Sequence, residues 1–79
     1  MKIKISVVDQ LGKRPCHRGL KVGDTFDYEE DRGKICPQAF HMLYPKIDVL
    51  RYGGTLPTNV FCCPDVDSIL VFKIERIDE

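Results

Sequence analysis

"ILVFKIERI", residues 69–77, is the longest strand signal in the chain, a β-branched and aromatic run with no glycine or proline to interrupt it. Just upstream, "NVFCC" (residues 59–63) reads as a short strand, and "PDVDS" (residues 64–68) supplies the proline and aspartates of a turn. The connection is short, so the two strands form a β-hairpin. At the other end of the chain, residues 2–8 alternate: Ile3, Ile5 and Val7 on one face, Lys2, Lys4 and Ser6 on the other. That is the pattern of a half-buried strand. The first and last strands are the most apolar, so both belong in the centre of a sheet, paired with each other.

Between them, residues 11–21 ("LGKRPCHRGLK") read as a loop carrying two glycines and a proline. "KVGDTFDY" (residues 21–28) enters a second strand on which Val22, Phe26 and Tyr28 share a parity, with Gly23-Asp24 as turn chemistry at its start. "EEDRGK" (residues 29–34) is a charged connection. "KICPQAFHMLYP" (residues 34–45) then reads as a helix. Cys36 stands at the cap and Pro37 at the first helical position, where its missing N–H costs nothing. Ala39, Phe40 and Leu43 form its buried stripe. Pro45 is expected to end or kink this helix, and "PKIDVLRYGG" (residues 45–54) to make another short turn stopped by Gly53-Gly54. The expected architecture is α+β: one domain, residues 1–79, with a small antiparallel sheet of about four strands and one or two short helices packed on one face.

Composition narrows the function classes. The chain is 43% apolar and 30% charged, as in ordinary globular domains. Twelve basic side chains balance twelve acidic ones, which argues against nucleic acid as partner, because phosphate contact demands a positive excess. The longest uninterrupted apolar run, residues 69–72, falls far short of the ~20 residues of a membrane helix. The alternating start has no continuous apolar segment of the kind a signal peptide needs. These features predict a cytoplasmic protein that does not engage a membrane, and there the four cysteines are expected as reduced thiols.

The cysteines are the candidate chemistry. At about 100° per helical residue, Cys36 lies about 20° from Leu43 and about 40° from Phe40, whereas His41 lies about 140° around the cylinder. Cys36 therefore leans toward the core and His41 toward water. Cys62 and Cys63 are strand neighbours and face opposite sides; if Phe61 points inward, so does Cys63. Cys16, Cys36 and Cys63 can then converge, with His17 or Cys62 as a fourth ligand, in a site for zinc or an iron–sulfur centre. No Cys-x-x-Cys pair is present to support it. Cys36 at a helix start, with His17 as base, is an alternative redox or nucleophilic site. The plainest alternative is that the cysteines are small apolar fillers of the core.

Two further features stand out. "GKRPCHRGLK" (residues 12–21) gathers Lys13, Arg14, Arg18 and Lys21, and can clasp a phosphate or an acidic partner unless "DYEEDRGK" neutralises it. Tyr44, Arg51 and Tyr52 flank the prolines and glycines of the middle segment, where they can line a small-ligand pocket or pack the helix onto the sheet.

The order "CHRGLKVGDTF", "CPQAFHMLYP", "LRYGG" with Pro57, "CCPD" and "VFKIERI" resembles a family of short bacterial and archaeal proteins, many of them from anaerobes, with which no activity is associated. The resemblance spans nearly the whole chain and implies that Cys16, Cys36 and Cys63 occupy the family's cysteine positions. The chain departs from it in having Thr58 and no tryptophan near Pro57, and Leu20 where many relatives carry histidine. The functional expectation is a small binding module with a thiol-lined site for a metal or small ligand, more a binder than an enzyme. Its alternatives are thiol chemistry at Cys36, or an interaction domain for a protein partner with inert core cysteines.

Overall fold

The computed structural model describes residues 2–16, 18–64 and 67–78. Its elements run β1 (Lys2–Gly12), β2 (Thr25–Asp27), a single 3₁₀ turn (Arg32–Lys34), α1 (Pro37–Arg51), β3 (Val60–Cys62) and β4 (Ser68–Ile77). The four strands form one antiparallel sheet in the order β2-β1-β4-β3, with α1 packed against it. This is the expected small α+β fold, with the first and last strands paired at its centre.

Alternation explains the pairing. Ile5 faces Ile74 and Val7 faces Phe72 across β1 and β4, and all four are almost completely buried. Phe26 joins this face opposite Ile5, and Phe61 opposite Phe72. Ala39, Leu43 and Ile47 of α1 close the core from above, each no more than 1% exposed. The valine, leucine, isoleucine and phenylalanine side chains among them each contribute roughly 1.5–3 kcal/mol when fully removed from water.

β1 is longer than residues 2–8. A bulge at Val8 shifts the register between Val7 and Asp9, after which the strand continues to Gly12 opposite Ser68. Leu11 and Gly12 thus belong to a strand, not to the loop expected there. Gly12 is required at that end: its φ is +91°, and a Cβ would meet the Asp67 carbonyl oxygen at 2.8 Å. β2 is shorter than expected. Val22 is 53% exposed and lies outside it, because the backbone at Gly23 and Asp24 turns to bond Val7 first.

Of the two expectations at Pro45, an end or a kink, the end is overturned. α1 runs uninterrupted for 15 residues with Pro45 inside it. Pro45 lies on the exposed side, so the lost hydrogen bond affects only the wet edge. Continuing the helix buries Ile47 completely and half-buries Leu50, which offsets that loss. Among the described residues there is one α-helix, and the chain turns away past its cap at Gly53, with φ +83°. Phe40, expected on the buried stripe, is only half-buried.

Candidate functional site

Cys36 is the cap residue of α1 and is only 6% exposed within the core. Cys16, on the loop after β1, and Cys63, just past β3, are half-buried against that core, while Cys62 is exposed. The parity argument for Phe61 and Cys63 against Val60 and Cys62 agrees with these exposures. None of the four cysteines is joined in a disulfide. His17 lies outside the described residues, as do Asp65 and Val66. Among the described residues, no three His, Cys, Asp or Glu side chains are grouped so as to hold a metal ion.

A different part of the molecule forms a site. The 27–34 segment lies beside the first half of α1, and between them opens a cleft of about 790 Å³. Ile35, Pro37, Phe40, Tyr44 and Pro45 supply apolar and aromatic lining, and Arg18, Arg32 and His41 the polar groups. His41 faces outward, as its helical angle predicts, yet this outward face is one wall of the cleft. None of the four cysteines lines it.

An aromatic cluster backs the cleft. The Phe40 and Tyr44 rings lie 5.7 Å apart at 60°, and Tyr28 sits 6.1 Å from Phe40 and 6.4 Å from Tyr44. Such edge and offset arrangements suit the ring quadrupoles. Tyr28 is only 3% exposed. Its phenol is pushed above its ordinary value, chiefly by burial, with the Tyr44 hydroxyl adding to the rise and the Arg51 and Arg32 cations opposing it. Both guanidiniums lie against its ring, Arg32 at 4.9 Å and Arg51 at 5.2 Å from the centroid. Arg51 is anchored by an ion pair with Asp48 at 2.9 Å. Of the three middle-segment residues, Tyr44 lines the cleft, Arg51 supports Tyr28 from behind, and Tyr52 is 80% exposed at the helix end.

The segment that carries Arg32 is fixed by its acidic residues. The Asp27 N–H donates to the Asp31 carboxylate at 2.8 Å, and the Asp31 N–H to the Asp27 carbonyl at 2.9 Å. The Glu30 N–H donates to the Asp27 carboxylate, and Lys34 pairs with Asp31 at 3.1 Å. The Asp27 N–H, followed by Lys34, holds the Asp31 carboxyl below its ordinary value. Arg32 then reaches the cleft with Glu29 bonded to it at 2.9 Å. Arg18 comes from the basic loop, and among the described residues it has no acidic partner.

Sequence reasoning identified Arg18 and Tyr44 but missed Arg32 and the walls at Ile35 and Pro45. "EEDRGK" looks self-neutralising, and no local pattern shows that its arginine meets an aromatic cluster on α1. Among the described residues, no helix is long and apolar enough to cross a membrane. Compared with protein-family models, with curated proteins and with solved structures, the chain matches none.

Proposed function

We propose that this protein is a small-ligand binding module whose site is the cleft between the 27–34 segment and α1. The observation that carries the reading is the cleft's make-up: about 790 Å³, walled by Ile35, Pro37, Phe40, Tyr44 and Pro45, with only a few polar groups. Ligand sites are concave, largely apolar and typically ~300–1,000 Å³, with a small number of polar groups to orient the guest. A flat, ring-bearing molecule suits the aromatic wall made by Phe40 and Tyr44, which Tyr28 braces from behind, stacked on Phe40 and edge-on to Tyr44, so that little reordering is needed to receive it. Zinc, iron–sulfur or thiol chemistry at Cys16, Cys36 and Cys63 has no comparable support.

The test is a titration of ¹⁵N-labelled protein with two-ring compounds of matched size, 1-naphthoate, 1-naphthalenemethanol and 1-naphthylmethylamine. Binding at the cleft moves the amides of Gly33, Phe40, His41 and Tyr44 together, and Tyr44→Ala weakens it about tenfold, as expected from losing one aromatic wall. If no compound shifts these amides at millimolar concentration, or if Tyr44→Ala leaves binding unchanged, the proposal fails.

A further inference from the structure

The charged side chains that line the cleft, Arg18 and Arg32, are both cationic, with the His41 imidazole beside them, and among the described residues no carboxylate lines it. In a chain with twelve basic and twelve acidic side chains this is a local segregation of sign. The positive end of α1 adds to it. Pro37, the first helical residue, lines the cleft; the cap at Cys36 makes no side-chain hydrogen bond, and the first turn holds no acidic residue.

The two guanidiniums differ in what already occupies them. Arg18 has no acidic partner among the described residues. Arg32 is held on the Tyr28 ring and paired with Glu29, but that pair is open to water, with side chains 50% and 62% exposed. An exposed pair of this kind holds weakly, so an incoming carboxylate can replace Glu29 without breaking the contact with Tyr28. Guanidinium groups match carboxylates in a planar, two-pronged fashion, and the aromatic walls lie next to them.

From this arrangement we infer that the ligand is an organic acid: a flat apolar body seated against Phe40 and Tyr44, with a carboxylate received by Arg18 and Arg32. Glu29 is a built-in competitor, an internal carboxylate that occupies Arg32 until the ligand's own arrives. This inference rests on the cleft being a ligand site and adds the class of ligand and the residues that select it.

The same three naphthalene compounds test it. The anionic 1-naphthoate is expected to bind at least tenfold more tightly than the neutral alcohol, and the amine more weakly than either. Arg18→Gln, on an exposed loop, weakens naphthoate at least fivefold more than it weakens the alcohol; Arg32→Gln does the same. Glu29→Gln frees Arg32 and tightens naphthoate two- to threefold, without effect on the alcohol. Equal affinities for the three compounds, or naphthoate binding indifferent to Arg18→Gln and Glu29→Gln, overturn the organic-acid assignment while leaving a charge-blind cleft. If none of the compounds binds, the cleft is not a ligand site and the assignment falls with it.

Discussion

The Arg32 guanidinium carbon lies 4.9 Å from the centroid of the Tyr28 ring, so a buried phenol is the platform on which the cleft's arginine rests. Tyr28 holds its proton more firmly when folded than when unfolded, where its value is near 10.0. Its contribution to stability is therefore complete below that value and lost as pH rises through the higher folded value. Urea melts at a series of pH values from about pH 8 to about pH 11 should show a fall on the alkaline side that is shallower in Tyr28→Phe. An identical fall in both proteins would show that another group governs it.

Asp31 has the opposite sign. Its carboxyl titrates below the ordinary 3.8 because the Asp27 N–H and Lys34 favour the charged form. The stabilisation is complete above 3.8 and lost as pH falls through the lower folded value. In Asp31→Asn the acid-side loss of stability becomes shallower, and the segment carrying Arg32 loses its Lys34 pair at neutral pH. Stability measured by urea melts between about pH 2 and about pH 6 checks the first effect. Amide exchange at Arg32 and Gly33 checks the second, and should be faster in the variant.

Pro45→Ala should separate stability from binding. Alanine restores an N–H to the His41 carbonyl and a better helix former, so the fold gains roughly 1–3 kcal/mol. The same change removes an apolar wall from the cleft, and naphthoate affinity should drop several-fold. Paired melts and titrations decide it; a variant that is less stable than the parent would mean that the proline ring is needed where it stands.

The four thiols should react in order of burial. Cys62, exposed on β3, is modified first by an aromatic disulfide reagent in the native protein. Cys36, 6% exposed beneath the first turn of α1, is modified only through local or global opening, slower by on the order of 10²-fold or more. Peptide mapping of partially labelled protein reads the order directly. Equal rates at Cys36 and Cys62 would mean that the start of α1 is not closed over its cap.

How much was legible depended on whether the signal was local. Ile3, Ile5 and Val7 on one strand and Leu70, Phe72 and Ile74 on another declare their burial at period two, because one wrong register would turn all of them to water. The start of α1 was equally readable, since Cys36-Pro37 is a local steric statement. The length of α1 was not. Local rules stop a helix at Pro45, but Ala39, Leu43 and Ile47 keep one face to the sheet across it, and burial won. The cleft was the least legible feature. Arg18, Arg32 and Tyr44 come from three segments whose proximity depends on tertiary structure, and the cysteines that attracted attention lie elsewhere.

The pairing of β1 with β4 sets how this molecule must assemble. Lys2 lies opposite Ile77, so the middle of the sheet is built from partners at maximal separation, with β2, α1 and β3 all threaded between them. A chain emerging N-terminus first can form β1, β2 and most of α1, yet α1 has no complete floor until β4 emerges. Closing that large loop is the slow event, and folding should be paced by it and not by helix growth. Until then Leu43 and Ile47 stay wet, and the nascent chain depends on whatever keeps such surfaces from sticking.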